Sequence, residues 1–99
     1  MKFLILMHPT PGATPAQMAP VLHEEVGHVW AMYKSGLARE LYMRGDGKGV
    51  VMVLECADAA DAERQGGELP LVKAGLARVE IIALAPFSPF EKLFAAPVS

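Results

Sequence analysis

Cysteine is almost missing from this chain. The single Cys56 excludes an internal disulfide and any zinc site built on several thiolates. Neither sign of charge dominates. Nine Lys and Arg stand against eleven Asp and Glu, giving a net charge of −2. The basic residues are scattered, so the chain carries no electrostatic footprint for nucleic acid. Long hydrophobic runs are also lacking. The longest, from Ile81 to Phe87, is too short to cross a bilayer. The opening MKFLILMHP holds a short apolar stretch, Phe3 to Met7, below the roughly 7–15 residues of a secretory core. It reads as a strand and not as a signal peptide. Together these absences make the cytoplasm the expected compartment, with no nucleic-acid and no membrane partner. No internal repeat at a fixed period is present, and no low-complexity linker.

What the chain has in excess is apolar material. Hydrophobic residues make up 53% of its 99 positions even before nine glycines are added. Soluble domains reach roughly 45–50% with glycine included. A chain of this size can bury only roughly 64% of its unfolded surface. One modest core over residues 1–94 is expected, with 95–99 as a C-terminal end. The surplus apolar surface calls for a partner.

Along the chain, residues 2–8 (KFLILMH) form a continuous apolar run closed by Pro9, as in a strand buried on both faces. Thr14-Pro15-Ala16-Gln17 is a helix start. The Thr14 hydroxyl can accept from the residue 17 amide, and the Gln17 side chain can reach back. Apolar residues at 18, 21, 22, 26, 29, 30, 32 and 33 keep helical spacing, with Pro20 as an expected kink or later start. Ser35-Gly36 ends that helix. Residues 38–44 alternate as an edge strand does, and Gly45 to Gly49 make a hairpin loop. Residues 50–56 (VVMVLEC) form a second apolar strand. Asp58 caps a short helix through about Gln65 that Gly66-Gly67 terminates. Glu68 to Leu71 reads as a connector, residues 77–85 as a last strand, and the tail from Pro86 as extended.

The order β-α-β-β-α-β is the ferredoxin-like arrangement, an α+β fold with a four-stranded antiparallel sheet and two helices on one face. It puts the two apolar strands in the middle and the mixed strands at the edges. Helices cover only one face of such a sheet. The other face is apolar too, and the simplest cover is the same face of a second copy. A homodimer is therefore expected, open to higher assembly. Phe87, Phe90 and Phe94 of the tail are expected to lie against the partner subunit.

The MKFLILM opening, the first helix ending SGLARELY, VVMVLEC followed by Asp58-Ala59-Ala60, and Leu69-Pro70-Leu71 together resemble the dimeric α+β barrel superfamily, and within it muconolactone isomerase-like proteins. The resemblance covers roughly residues 1–94. It implies pairing as a dimeric α+β barrel, a small lactone or organic acid as ligand, and isomerisation by proton transfer with no cofactor. The His-Pro that true muconolactone isomerases carry after the last strand is replaced here by Ala85-Pro86.

Candidate site residues follow from residue type and spacing. His23 and His28 are five apart, about 140° round a helix, so they miss the four-residue spacing of a helical zinc motif, and no metal site is expected. Glu24 and His28 are an i,i+4 pair able to act as acid and base, or to be a solvated helix face. Glu55 interrupts an apolar strand and is a third acid–base candidate. Arg39, Tyr42 and Arg44 on the second strand are candidates for orienting a carboxylate-bearing ligand. Symmetric pairing about Gly47 would set Arg39 opposite Glu55, a structural ion pair or part of the site. Three functions stay open on this fold. They are a cofactor-free isomerase, a cofactor-free monooxygenase or haem-binding relative, and a non-catalytic ligand-binding or assembly module.

Overall fold

A computed structural model describes residues 1–95; residues 96–99, most of the expected C-terminal end, lie outside the described residues. The elements are β1 (Lys2–Pro9), α1 (Pro15–Lys34), β2 (Ala38–Met43), β3 (Val50–Glu55), α2 (Ala59–Gly67), α3 (Pro70–Lys73) and β4 (Ala77–Leu84), followed by a 3₁₀ helix over Ser88–Leu93. The strands form one sheet in the order β2-β3-β1-β4, with every pairing antiparallel. This is the ferredoxin-like α+β fold, with β1 and β3 central as their apolar runs require.

One face of the sheet carries the core. Phe3, Ile5 and Met7 of β1 and Met52 and Leu54 of β3 are buried there with Met32 of α1, Ala62 of α2, and Leu69 and Leu71 at α3. The alternate residues, Leu4, Leu6, Val51 and Val53, lie on the opposite face with Ile82 and Leu84 of β4. Among the described residues no helix covers that face.

The first helix starts as its sequence dictates. Gln17 N donates to Thr14 Oγ1 at 3.2 Å, and Thr14 N donates to Gln17 Oε1 at 2.9 Å. Pro20 neither delays nor divides α1, which runs unbroken from Pro15. Gly36 takes the left-handed conformation (φ 84°) that ends it.

Four expectations need correction. The hairpin register is shifted by one: Leu41 pairs with Met52 and Met43 with Val50. That register puts Leu41 on the core face beside Met52; symmetry about Gly47 would have turned it to the other face. A bulge between Ala38 and Glu40 leaves Arg39 without a ladder partner, so Arg39 does not face Glu55. Second, residues 70–73 are not plain connector but a helical turn begun by Pro70, whose fixed φ suits a first helical position. Third, the tail is not extended: Pro89 opens a 3₁₀ helix, for which the same φ is equally suited.

Fourth, α2 does not stop at about Gln65 but takes in Gly66 and Gly67 as its last two residues. Both glycines are helical, and Gly66 is a spacer between α2 and β4. A Cβ there would lie 2.8 Å from Val79 Cγ2. Val79 is β-branched and held in a ladder, so it has little room to yield. Gly66→Ala is therefore expected to destabilise by about 1–2 kcal/mol despite the better helix propensity of alanine. Val79→Ala introduced with it should recover part of the loss. Urea denaturation of the two single variants and the double variant measures that coupling.

Candidate functional site

The stripe of α1 that meets the sheet runs through Met18, Val21, Val29 and Met32, all in or against the core. Glu25 occupies the place in that stripe where an apolar residue belongs, four after Val21 and four before Val29. It is 6% exposed. Its Oε2 accepts from the Leu71 amide at 2.9 Å, and this bond ties α1 to α3. Its Oε1 is buried without a hydrogen-bond partner among the described residues. Burial pushes the Glu25 carboxyl above its ordinary pKa. The Leu71 amide and the neighbouring His28 pull it back, and Glu24 pushes it up further.

Glu25 lines a cavity of about 310 Å³ between α1 and one end of the sheet. Its walls are almost wholly apolar: Met7, Met18, Val29, Val50 and Leu71 are among them. The hairpin loop Gly47 to Gly49 forms one side. Gly49, with φ 135°, approaches Met7 so closely that an added Cβ would lie 3.1 Å from its Cγ and Sδ. Only glycine lets the loop close down on β1 here. Leu22 and Val26 of α1 also line the cavity while remaining exposed to solvent. Lys48 and Glu25 are the only charged residues in the lining.

None of the six residues singled out by sequence lines this cavity. Glu24 is exposed on the outer side of α1 and makes no hydrogen bond or ion pair with His28 among the described residues. His28 is half-buried, and its Nε2 is a second buried atom without a partner, three residues from Glu25 on the same helix. Glu55 lies at the far end of the sheet, 3.7 Å from the N-terminal ammonium of Met1. Arg39 donates through Nε to the Gly36 carbonyl at 2.6 Å. Tyr42 projects from the uncovered face and donates to Glu40 Oε1 at 2.9 Å; that carboxylate beside it holds the phenol above its ordinary pKa.

Arg44 sits in a polar chain across the strand ends. Its Nη2 donates to Asp46 Oδ2 at 2.6 Å, and its Nη1 donates to the Met7 carbonyl at 2.6 Å and to His8 Nδ1 at 3.2 Å. A guanidinium only donates, so His8 Nδ1 accepts and its Nε2 carries the proton given to Glu80 Oε1 at 2.9 Å. These bonds link the hairpin loop after β2 to β1 and β4, which makes the chain a brace across the strand ends. Cys56 is a buried thiol whose pKa burial pushes up, the opposite of activation.

Sequence reasoning missed Glu25 because two apolar series overlap on α1. Counting Val26, Trp30 and Tyr33 as the inward side left Glu25 among polar neighbours. Those three residues are exposed in the structure. The signal lay in the other series, 18-21-25-29-32, which Glu25 interrupts.

No protein-family model matches this chain, and no curated protein sequence matches it. Among solved structures, it is similar to 5-chloro-2-hydroxyhydroquinone dehydrochlorinase (TftG) from Burkholderia phenoliruptrix AC1100, determined in complex with 2,5-dihydroxybenzoquinone. The TM-score is 0.63 at 17% sequence identity, covering 86% of this chain and 94% of that one. At that identity the likeness establishes the shared α+β fold. Among the described residues no helix is long and apolar enough to cross a membrane.

Proposed function

We propose that this protein binds a small, partly apolar organic acid or lactone in the cavity between α1 and the sheet. We further infer that Glu25 moves a proton on that ligand without a cofactor, in the manner of a muconolactone isomerase-like enzyme. One observation carries the reading: a nearly fully buried carboxyl with an unpartnered oxygen lines an otherwise apolar cavity. A buried polar atom without a partner is destabilising and calls for an explanation, and a ligand group is the simplest. A carboxyl raised above its ordinary pKa exchanges protons closer to neutral pH than a solvated one. It can take a proton from a carbon beside a carbonyl and return it at another carbon of the same conjugated system. The double bond then moves with no net change in atoms or electrons. His28, three residues away on the same helix, acts on Glu25 through its charge and pulls the carboxyl pKa down. The quinone complex of the dehydrochlorinase shows a small oxygenated ring bound by a protein of the same fold, which supports a ligand of that size here.

The same reading includes a homodimer formed through the uncovered sheet face. That face carries Leu4, Leu6, Val51, Val53, Ile82 and Leu84. The tail adds Phe87, Phe90, Leu93 and Phe94, all exposed. Phe87 and Phe90 contact only edge to face, with centroids 4.8 Å apart. The radius of gyration is 16.9 Å, against roughly 13 Å for a compact chain of this length. A projecting aromatic tail and a bare apolar face are complementary needs that a second copy meets.

Glu25→Gln tests the proton-transfer step. Wild-type protein incubated in D₂O with small unsaturated lactones and β,γ-unsaturated ketones is expected to incorporate deuterium beside the carbonyl of at least one of them. The variant should lose about 10²–10⁴-fold of that rate. Exchange at an undiminished rate in Glu25→Gln would remove Glu25 from the mechanism.

A further inference from the structure

On the reading that Glu25 moves a proton, a ligand that fills the cavity also shuts water out of it. Any trade of the Glu25 proton with solvent then needs a second route. Among the described residues only two buried side-chain polar atoms lack a hydrogen-bond partner, Glu25 Oε1 and His28 Nε2. They belong to residues three apart on α1, which are neighbours on a helix surface. His28 does not line the cavity. Its Nδ1 makes no hydrogen bond among the described residues and is not buried, so solvent reaches that edge of the ring. The imidazole thus has one nitrogen in the interior near Glu25 and the other in water. No charged side chain takes up the inner nitrogen: Glu24, one turn earlier on α1, leaves it unpartnered, and on α3 the Lys73 ammonium is engaged by Glu68 at 3.7 Å. The two groups feel each other, since the charge of His28 pulls the Glu25 carboxyl pKa down.

We propose that His28 is the proton exit of the Glu25 site: one bound water joins Glu25 Oε1 to His28 Nε2, and the ring trades protons with solvent along a path that bypasses the cavity. No hydrogen bond joins the two atoms directly, so one molecule must stand between them, and a water with two polar partners meets that need. A carboxylate oxygen has two lone pairs, so Oε1 can turn one to the ligand and one to the water. When Glu25 holds a proton it has taken, that proton passes to the water, the water passes one of its own to Nε2, and Nδ1 releases its proton to solvent. Glu25 is then a carboxylate, and the ring is neutral with its proton on Nε2. The same path run backward brings a solvent proton in at Nδ1 and delivers one to Glu25. Nothing is consumed, and one proton has been exchanged for another. His28 touches no ligand in this scheme and acts only through Glu25.

A crystal structure of the free protein is expected to show an ordered water within about 3.2 Å of both atoms. Isotope transfer tests the path itself. The probes are α-angelica lactone and cyclohex-3-enone in D₂O, with protein in excess so that each molecule turns over once. Both lose a proton beside the carbonyl and regain one two carbons further on. The wild type is expected to place deuterium there, because the relay replaces the removed proton before it is returned. His28→Leu should return the ligand's own proton instead, lowering the deuterium per molecule of product about tenfold. His28→Gln stays polar but has no ring to carry a proton from one nitrogen to the other, so it should behave as His28→Leu does. Deuterium is counted per product molecule, so neither slower turnover nor a smaller folded fraction moves the ratio. Undiminished deuterium in either variant, or no water between Oε1 and Nε2, would overturn the relay and leave Glu25 as the proton carrier. If the wild type isomerises neither probe, the proton-transfer reading fails and the relay with it.

Discussion

Val53→Glu is expected to convert the proposed dimer to monomers at micromolar concentration. Val53 lies on the uncovered face in the middle of β3, paired with Leu4 of β1 on one side and Glu40 of β2 on the other. In an isolated protomer that face meets water, so a glutamate there alters the stability of the protomer little. In a face-to-face dimer the same carboxylate would be trapped among Leu4, Leu6 and Val51 and their counterparts, directly opposite the like-charged Glu40, with Lys2 only on the diagonal at the edge of the apolar patch. The dissociation constant should rise at least about 100-fold, equivalent to about 2.8 kcal/mol. Sedimentation distinguishes the outcomes: the variant should run as a 10.6 kDa species where the wild type runs at twice that mass. Deleting residues 87–99 should also weaken the dimer, but by less, since the sheet faces remain. A wild-type protein that sediments as a monomer at this concentration would overturn the dimer itself.

The backbone plan was far more legible in the sequence than the site. Strand and helix identities follow from local rules: Pro9 ends β1, Thr14 and Gln17 open α1, and Asp58 caps α2 by accepting from Asp61 N at 2.8 Å. The sheet order follows from which runs are apolar on both faces. Register does not follow from local rules. It depended on Leu41 choosing the core face, and a bulge at Ala38–Glu40 absorbed the difference. The arginine–glutamate pairing expected from symmetry failed for that reason. The roles of Gly66 and Pro89 were also hidden, because glycine and proline each suit more than one conformation and tertiary contacts choose among them. At the site, residue type alone drew attention to Glu24, His28 and Glu55. What distinguishes Glu25 from Glu24 is one step of 100° round a helix, and only the position of α3 shows which of them the core surrounds. The Leu71 amide that holds Glu25 belongs to a turn that reads as plain connector.

Stability should depend on pH through Glu25 in a direction opposite to that of most carboxylates. Its folded-state pKa is raised, chiefly by burial, above the value of about 4.5 that it has when unfolded. Below that value both states are protonated and Glu25 contributes nothing to the pH dependence. Above it the unfolded chain ionises first, the folded state holds more protons, and stability declines until the pH passes the folded pKa. Asp46 and Asp61 act the other way. Amides of Lys48 and Ala57, with arginines beside them, hold both carboxylates below their ordinary pKa. Their stabilisation is present above that range and is lost in acid, so wild-type stability alone would mix the two effects. Glu25→Gln separates them. Glutamine keeps an oxygen for the Leu71 amide and cannot ionise, while both aspartates are untouched. The two proteins should have similar unfolding free energies near pH 4, adjusted for loss of the carboxyl. The variant should then gain on the wild type as pH rises, by about 1.4 kcal/mol for each unit by which the folded pKa is raised. Urea unfolding between pH 4 and pH 8, at one protein concentration so that any dimerisation is held constant, gives the difference directly. A gap that stays flat across that range would mean that Glu25 titrates as a solvated carboxylate does. The cavity would then offer its ligand an ordinary charged group, with no raised pKa to favour proton transfer near neutral pH.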